Sequence, residues 1–156
     1  MQVLETKNLD PRFKFEVASR PGGENIKACF SCGTCTATCP VSQIDAEFNP
    51  RQIIRQVLLG LRQEVLSSPV IWRCVQCYGC YAKCPQNVKF TEVMAALRLM
   101  AVEAGAVPAS LLEQVAQLDH FAHELRRDLV KVLLEDPQKF KKLQADLRAC
   151  LNKDKR

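Results

Sequence analysis

No apolar run in this chain extends beyond a few residues, so no segment has the length of a membrane-spanning helix. The opening MQVLETKNLD has neither the basic start nor the apolar stretch of a secretory signal, and export is not expected. There is no G-x-G-x-x-G fingerprint to cradle a flavin or nicotinamide dinucleotide, and no two cysteines are adjacent. What remains is 156 residues, about one domain, at 47% hydrophobic and 25% charged, which is ordinary for a globular protein. The unusual quantity is nine cysteines.

Eight of the nine fall into two tight runs. Cys29, Cys32, Cys35 and Cys39 precede Pro40, and Cys74, Cys77, Cys80 and Cys84 precede Pro85, each run reading C-x2-C-x2-C-x3-C-P. Every cysteine of the first run has its counterpart 45 positions later. This is the spacing of cubane iron–sulfur clusters in two-cluster ferredoxins. Three thiolates at successive short gaps let the chain curl around one corner of a cube, and the fourth iron must be reached from elsewhere. In two-cluster proteins the fourth cysteine of each run crosses to the other cluster. The expectation is therefore one 4Fe–4S cluster on Cys29, Cys32, Cys35 and Cys84, and a second on Cys74, Cys77, Cys80 and Cys39. Gly33 and Gly79 are read as matched positions that let backbone amides approach the clusters. Phe30, Trp72 and Tyr78, beside the runs, are read as packing that shields them from water.

Other uses of these cysteines fit less well. Disulfides need an oxidising compartment. Structural zinc prefers well-separated C-x2-C pairs. A thiol-redox pair does not account for two complete four-cysteine runs. Cys150, on the last helix, is read as a small buried apolar residue rather than a ligand. His120 and His123 lack further ligands at metal spacing and are read as surface or packing residues.

Most of the remaining pattern is helical. Residues 1–28 read as an extended lead-in, with a short alternation over Phe13-Lys14-Phe15-Glu16-Val17 suited to a strand or a partner-contacting arm. Asn49-Pro50 opens a helix of about four turns that carries Ile53, Ile54, Val57, Leu58, Leu61 and Val65 and links the two runs. Thr91 is a candidate cap for a helix closed by Gly105 and Pro108. Ser110 with Glu113 resembles a capping box, and Asp136-Pro137 restarts a last helix. The expected fold is all-α: a helical ferredoxin-like domain over residues 29–105 binding two 4Fe–4S clusters, and a helical C-terminal extension over 106–156.

The formal charge of +5 is uneven: residues 1–119 carry +1, and the last 37 carry +4. The tail charges, among them Arg126, Arg127, Lys131, Lys139, Lys141 and Lys142, are most simply a solvated helix face, with a docking surface for an acidic partner as the sharper alternative. Beyond charge, no motif points to nucleic acid.

The stretches Cys29–Pro40 and Cys74–Pro85, with an Asn49-Pro50-Arg51 helix start between them, resemble the iron–sulfur HdrC subunit of heterodisulfide reductase over roughly residues 25–105. The motif alone is also shared with the helical ferredoxin domains of succinate dehydrogenases, fumarate reductases and glycolate oxidases. The resemblance to HdrC implies a cytoplasmic, non-catalytic electron-transfer protein. In the family it relays electrons between two partner subunits, one carrying flavin and iron–sulfur clusters, the other catalytic. The family's disulfide chemistry is placed on motifs with adjacent cysteines, which this sequence does not contain. Two other classes remain as competitors: an enzyme reducing disulfides itself, for which Cys150 is the only spare thiol, and a zinc scaffold.

Overall fold

Eight α-helices and two 3₁₀ turns form the regular structure of residues 9–153, the part that the computed structural model describes, and no strand occurs among them. The expected all-α class is the observed one. No described helix is long and apolar enough to cross a membrane. The chain separates into two compact units, residues 1–112 and 113–156.

The first departure from expectation lies at the N-terminal end. Within the described part of the lead-in, residues 13–18 are a helix, α1 (Phe13–Ala18), and Ile26–Ala28 form a 3₁₀ turn. Phe13 and Val17 are four residues apart, and as a helical pair they meet on one face where an alternating strand would have aligned Phe15 with them. Both are fully buried with Ile26, while Phe15 is 55% exposed. Burying the two side chains is worth about 1.5–3 kcal/mol each, which outweighs any preference of this short segment for extension. Arg62 ties the helix down: its guanidinium bonds Asp10 at 2.9 Å, pairs with Glu16 and lies over the Phe13 ring.

The link between the cysteine runs is also interrupted. Asn49 caps α3 (Pro50–Leu59), its Oδ1 accepting from the Gln52 N–H at 3.1 Å, and Pro50 opens the helix as expected. The helix then stops at Gly60, and α4 (Arg62–Leu66) continues after the break. Gly60 has φ +83°, and a Cβ there would lie 2.3 Å from the Asp10 carbonyl oxygen, which is backbone that cannot swing away. The Gly60 carbonyl in turn accepts from the Asp10 N–H at 2.8 Å. The expected single helix is therefore two helices, because the N-terminal segment crosses at a point that only glycine leaves open. Gly60→Ala should destabilise the cluster-bearing unit by about 1–3 kcal/mol. A thermal melt that matches the parent would show that the crossing is not tight.

After a 3₁₀ turn (Pro69–Arg73) and α5 (Gly79–Lys83), α6 (Phe90–Glu103) forms the centre of the unit. It buries Val93, Met94, Leu97 and Met100 against α1, α4, α5 and the 3₁₀ turn. Thr91 does not cap it. The residue before the helix is Lys89, in the left-handed region, and the Thr91 hydroxyl is buried 3.3 Å from the Cys80 sulfur.

The second unit holds most of α7 (Ser110–Glu135) and α8 (Pro137–Lys153). Asp136 restarts the chain as expected, its Oδ1 accepting from the Gln138 and Lys139 N–H groups at 3.0 Å. No described residue of this unit is buried. Cys150 is exposed, which corrects the buried reading. His120 and His123 are both exposed, as surface histidines should be.

Candidate iron–sulfur site

The 45-residue repeat of cysteines is also a repeat of backbone conformation. Cys29 and Cys74 are both extended, at φ −66°, ψ 117° and φ −67°, ψ 121°. Each follows a 3₁₀ turn that buries an isoleucine, Ile26 or Ile71. Ser31 and Gln76 then take positive φ, followed by Gly33 and Tyr78. A short helix follows in each case, α2 (Thr34–Ala37) or α5, and the two helices pack on one another. The match for Gly33 is thus Tyr78 and not Gly79, which is an ordinary first residue of α5. Holding a non-glycine residue in this region costs about 1–2 kcal/mol, so Ser31, Gln76 and Tyr78 are held there by their surroundings. One return is visible: the Ser31 N–H points back to the Cys29 sulfur at 3.5 Å.

The two runs meet in a pair of chambers. One is lined by Cys29, Cys32, Cys35 and Cys84, with Ile54, Val88 and Phe90 among its apolar walls. The other is lined by Cys39, Cys74 and Cys77, with Val41, Phe48 and Val75. Cys80 and Phe90 line both. The fourth cysteine of each run therefore faces the first cysteines of the other. In both runs the second cysteine, Cys32 or Cys77, is exposed. The second chamber is the drier one, because Cys39, Cys74 and Cys80 are buried, whereas Cys29, Cys35 and Cys84 are only half-buried.

The thiols differ electrostatically. Burial raises the pKa of Cys35, Cys74 and Cys80 above the ordinary thiol value. Cys32 is lowered, chiefly by its contact with the Thr34 hydroxyl at 3.4 Å and to a smaller extent by the Arg51 charge. The Val88 N–H reaches the Cys84 sulfur at 3.3 Å. Contacts of this kind set the electronics of anything the sulfurs hold.

The donor set fits iron–sulfur clusters. Each chamber presents soft thiols from both runs and no carboxylate or imidazole, the choice that selects such clusters over hard cations. Among the described residues, no three cysteine, histidine or acidic side chains converge as around a single metal ion. The cysteines are instead spread around chamber walls.

Several residues that build this site carry no obvious signal in the sequence. The expected aromatic shields stand aside: Phe30 is 60% exposed, Tyr78 is 49% exposed, and Trp72 lies over the Arg98 guanidinium. The shielding comes from Ile54, Phe48, Val88 and above all Phe90. Thr36, inside the first run, accepts from the Arg51 N–H at 3.1 Å and donates to Asn49 Oδ1 at 2.9 Å, which fixes α2 to the start of α3. Arg98 is 4% exposed and donates to the carbonyls of Ile71, Trp72 and Cys74 at 3.0, 3.2 and 2.8 Å. A groove of about 520 Å³ with Arg51 and Arg55 on its rim opens beside the first chamber, sharing Ser31 and Arg51 with it.

Residues 25–88 match the family model of the 4Fe-4S dicluster domain. With the all-helical fold, this match defines a helical iron–sulfur protein whose cofactors are two 4Fe–4S clusters. The chain is 31% identical over 142 residues to the HdrC subunit of the ferredoxin:CoB-CoM heterodisulfide reductase of Methanosarcina mazei, covering 85% of this chain and 87% of that one. It is 44% identical over 104 residues to the corresponding subunit, C2, of the H(2)/formate:CoB-CoM heterodisulfide,ferredoxin reductase of Methanococcus maripaludis, covering 67% and 52%. Against the corresponding subunit of the H(2):CoB-CoM heterodisulfide,ferredoxin reductase of Methanothermobacter thermautotrophicus, identity is 37% over 103 residues, covering 66% and 55%. The chain belongs to the HdrC family of heterodisulfide reductase iron–sulfur subunits. It spans about half the length of the last two relatives and most of the first.

Proposed function

We propose that this chain is an electron-transfer subunit of a heterodisulfide reductase or a complex of that type, working in the cytoplasm. It passes electrons through two clusters between two partner subunits, one carrying flavin and iron–sulfur clusters, the other catalytic. The carrying observation is the crossing of the two runs into two adjoining thiol-lined chambers. Cys29, Cys32, Cys35 and Cys84 are assigned to one cluster, and Cys74, Cys77, Cys80 and Cys39 to the other. When bound, each cluster supplies a one-electron centre.

The chain's own residues do the rest. Phe90 and Cys80, common to both chambers, keep the two centres adjacent across a shared wall. Ile54, Val88, Phe48 and Val41 provide a low-dielectric surround in which small charge differences carry weight. Exposed Cys32 and Cys77 give each centre its own edge toward solvent, so electrons can enter at one chamber and leave at the other. No spare thiol lines either chamber, and Cys150 lies in the other unit, which favours relay over disulfide turnover by this chain.

The test is iron and acid-labile sulfide per chain on anaerobically prepared protein, with an EPR spectrum after reduction. About eight of each, with two interacting reduced cubanes, is the expected result. About four irons would remove one run from the site, and zinc in place of iron would end the redox reading.

A further inference from the structure

The two chambers repeat in backbone but not in charge. Helix α6 sends Arg98 into the wall behind the second chamber, where its guanidinium bonds the carbonyl of Cys74 itself as well as those of Ile71 and Trp72. The helix after the first run, α3, buries no charged residue. Arg51 of α3 does line the first chamber, but it is exposed, so water weakens its charge there. Arg98 is thus the one buried cation among the described residues, and it sits against the backbone of a second-chamber cysteine.

We infer that Arg98 is a positioning residue that holds up the reduction potential of the second-chamber cluster, offsetting the burial of Cys39, Cys74 and Cys80. Reduction adds a negative charge to a cluster that its thiolates already make negative. Burial opposes that addition, because the added charge loses its water. A fixed cation at the Cys74 carbonyl favours it, and favours it most where the surroundings are driest. The two effects oppose one another in the second chamber, whereas in the first both are weaker. Without Arg98 the buried cluster would be the harder of the two to reduce, and electrons would stall before it.

This inference rests on the ligand assignment proposed above, and the test separates the two. Iron is counted first in the parent protein: a count well below about eight per chain defeats the assignment itself. The two EPR signals are then assigned by which of them changes in Cys32→Ser and which in Cys77→Ser, and both are followed through a redox titration. In Arg98→Gln the Cys77-linked signal should show at least a roughly tenfold lower ratio of reduced to oxidised cluster at the parent midpoint, about 59 mV for one electron, while the Cys32-linked signal stays in place. Arg98→Lys keeps the charge but cannot span three carbonyls, so it should keep the potential while lowering the melting temperature. A purely structural role predicts that lysine behaves like glutamine. Equal movement of both signals, or no movement with iron retained, overturns the inference. If the glutamine variant fails to load, the lysine variant decides alone: a roughly tenfold loss there, with the charge present, rejects it.

Discussion

Serine at Cys84 should alter the cluster of the first run and leave that of its own run intact. In anaerobically prepared Cys84→Ser protein, the perturbed EPR signal should be the one that Cys32→Ser perturbs. Cys39→Ser should pair in the same way with Cys77→Ser. The reason is geometric: Cys84 lines the chamber of Cys29, Cys32 and Cys35, and Cys39 lines that of Cys74 and Cys77. Where serine fails to hold its corner, iron should fall from about eight toward about four per chain. Stability should fall too, since ligand binding at such sites is folding free energy. The left-handed residues between the cysteines are then without the contacts that hold them. Pairing of Cys84→Ser with Cys77→Ser instead would mean that each run holds its own cluster, and the relay geometry would have to be redrawn.

Phe90→Ala is the substitution outside the cysteines with the largest expected cost. The ring is 2% exposed and lines both chambers from the first residue of α6. Truncating a buried phenylalanine costs about 3–5 kcal/mol, because the transfer energy of the lost atoms is joined by the cavity they leave. That is a large share of the roughly 5–15 kcal/mol that typically holds a domain. Collapse into the gap is restricted here, since the neighbouring walls are also the walls of the cluster sites. Both clusters should bleach together at lower denaturant than in the parent, followed by their visible absorption. Loss of one cluster with the other unaffected would show that the ring is not a shared wall.

The cysteine runs are legible because ligand spacing survives any folding detail, and Asn49-Pro50 because a cap and a first-turn proline are local signals. The N-terminal segment is ambiguous because five residues are too few to separate a helical pair at Phe13 and Val17 from a strand alternation. The break at Gly60 cannot be read from the helix, since its cause is the backbone of Asp10, far away in the chain. Thr91 resembles a cap because threonine before an apolar run usually is one, yet a buried sulfur is its nearer partner. Arg98 does leave a trace: it is the one charge between Val93 and Val102, a stretch in which a cation has to find buried acceptors. Tyr78 in a left-handed position leaves none, because the repeat is one of shape and its counterpart Gly33 is a different residue.

The interleaving of the runs has a consequence for biogenesis. The first chamber lacks its fourth thiol until Cys84 has been synthesised, although its other three, Cys29, Cys32 and Cys35, are made long before. A nascent chain on the ribosome thus exposes a three-cornered thiol nest for the whole time that α3, α4 and the second run are being made. Anything delivering iron and sulfide to this protein meets its first complete set of four thiols only after translation has passed Cys80, in the second chamber. The first chamber follows at Cys84, and the shared wall of both at Phe90.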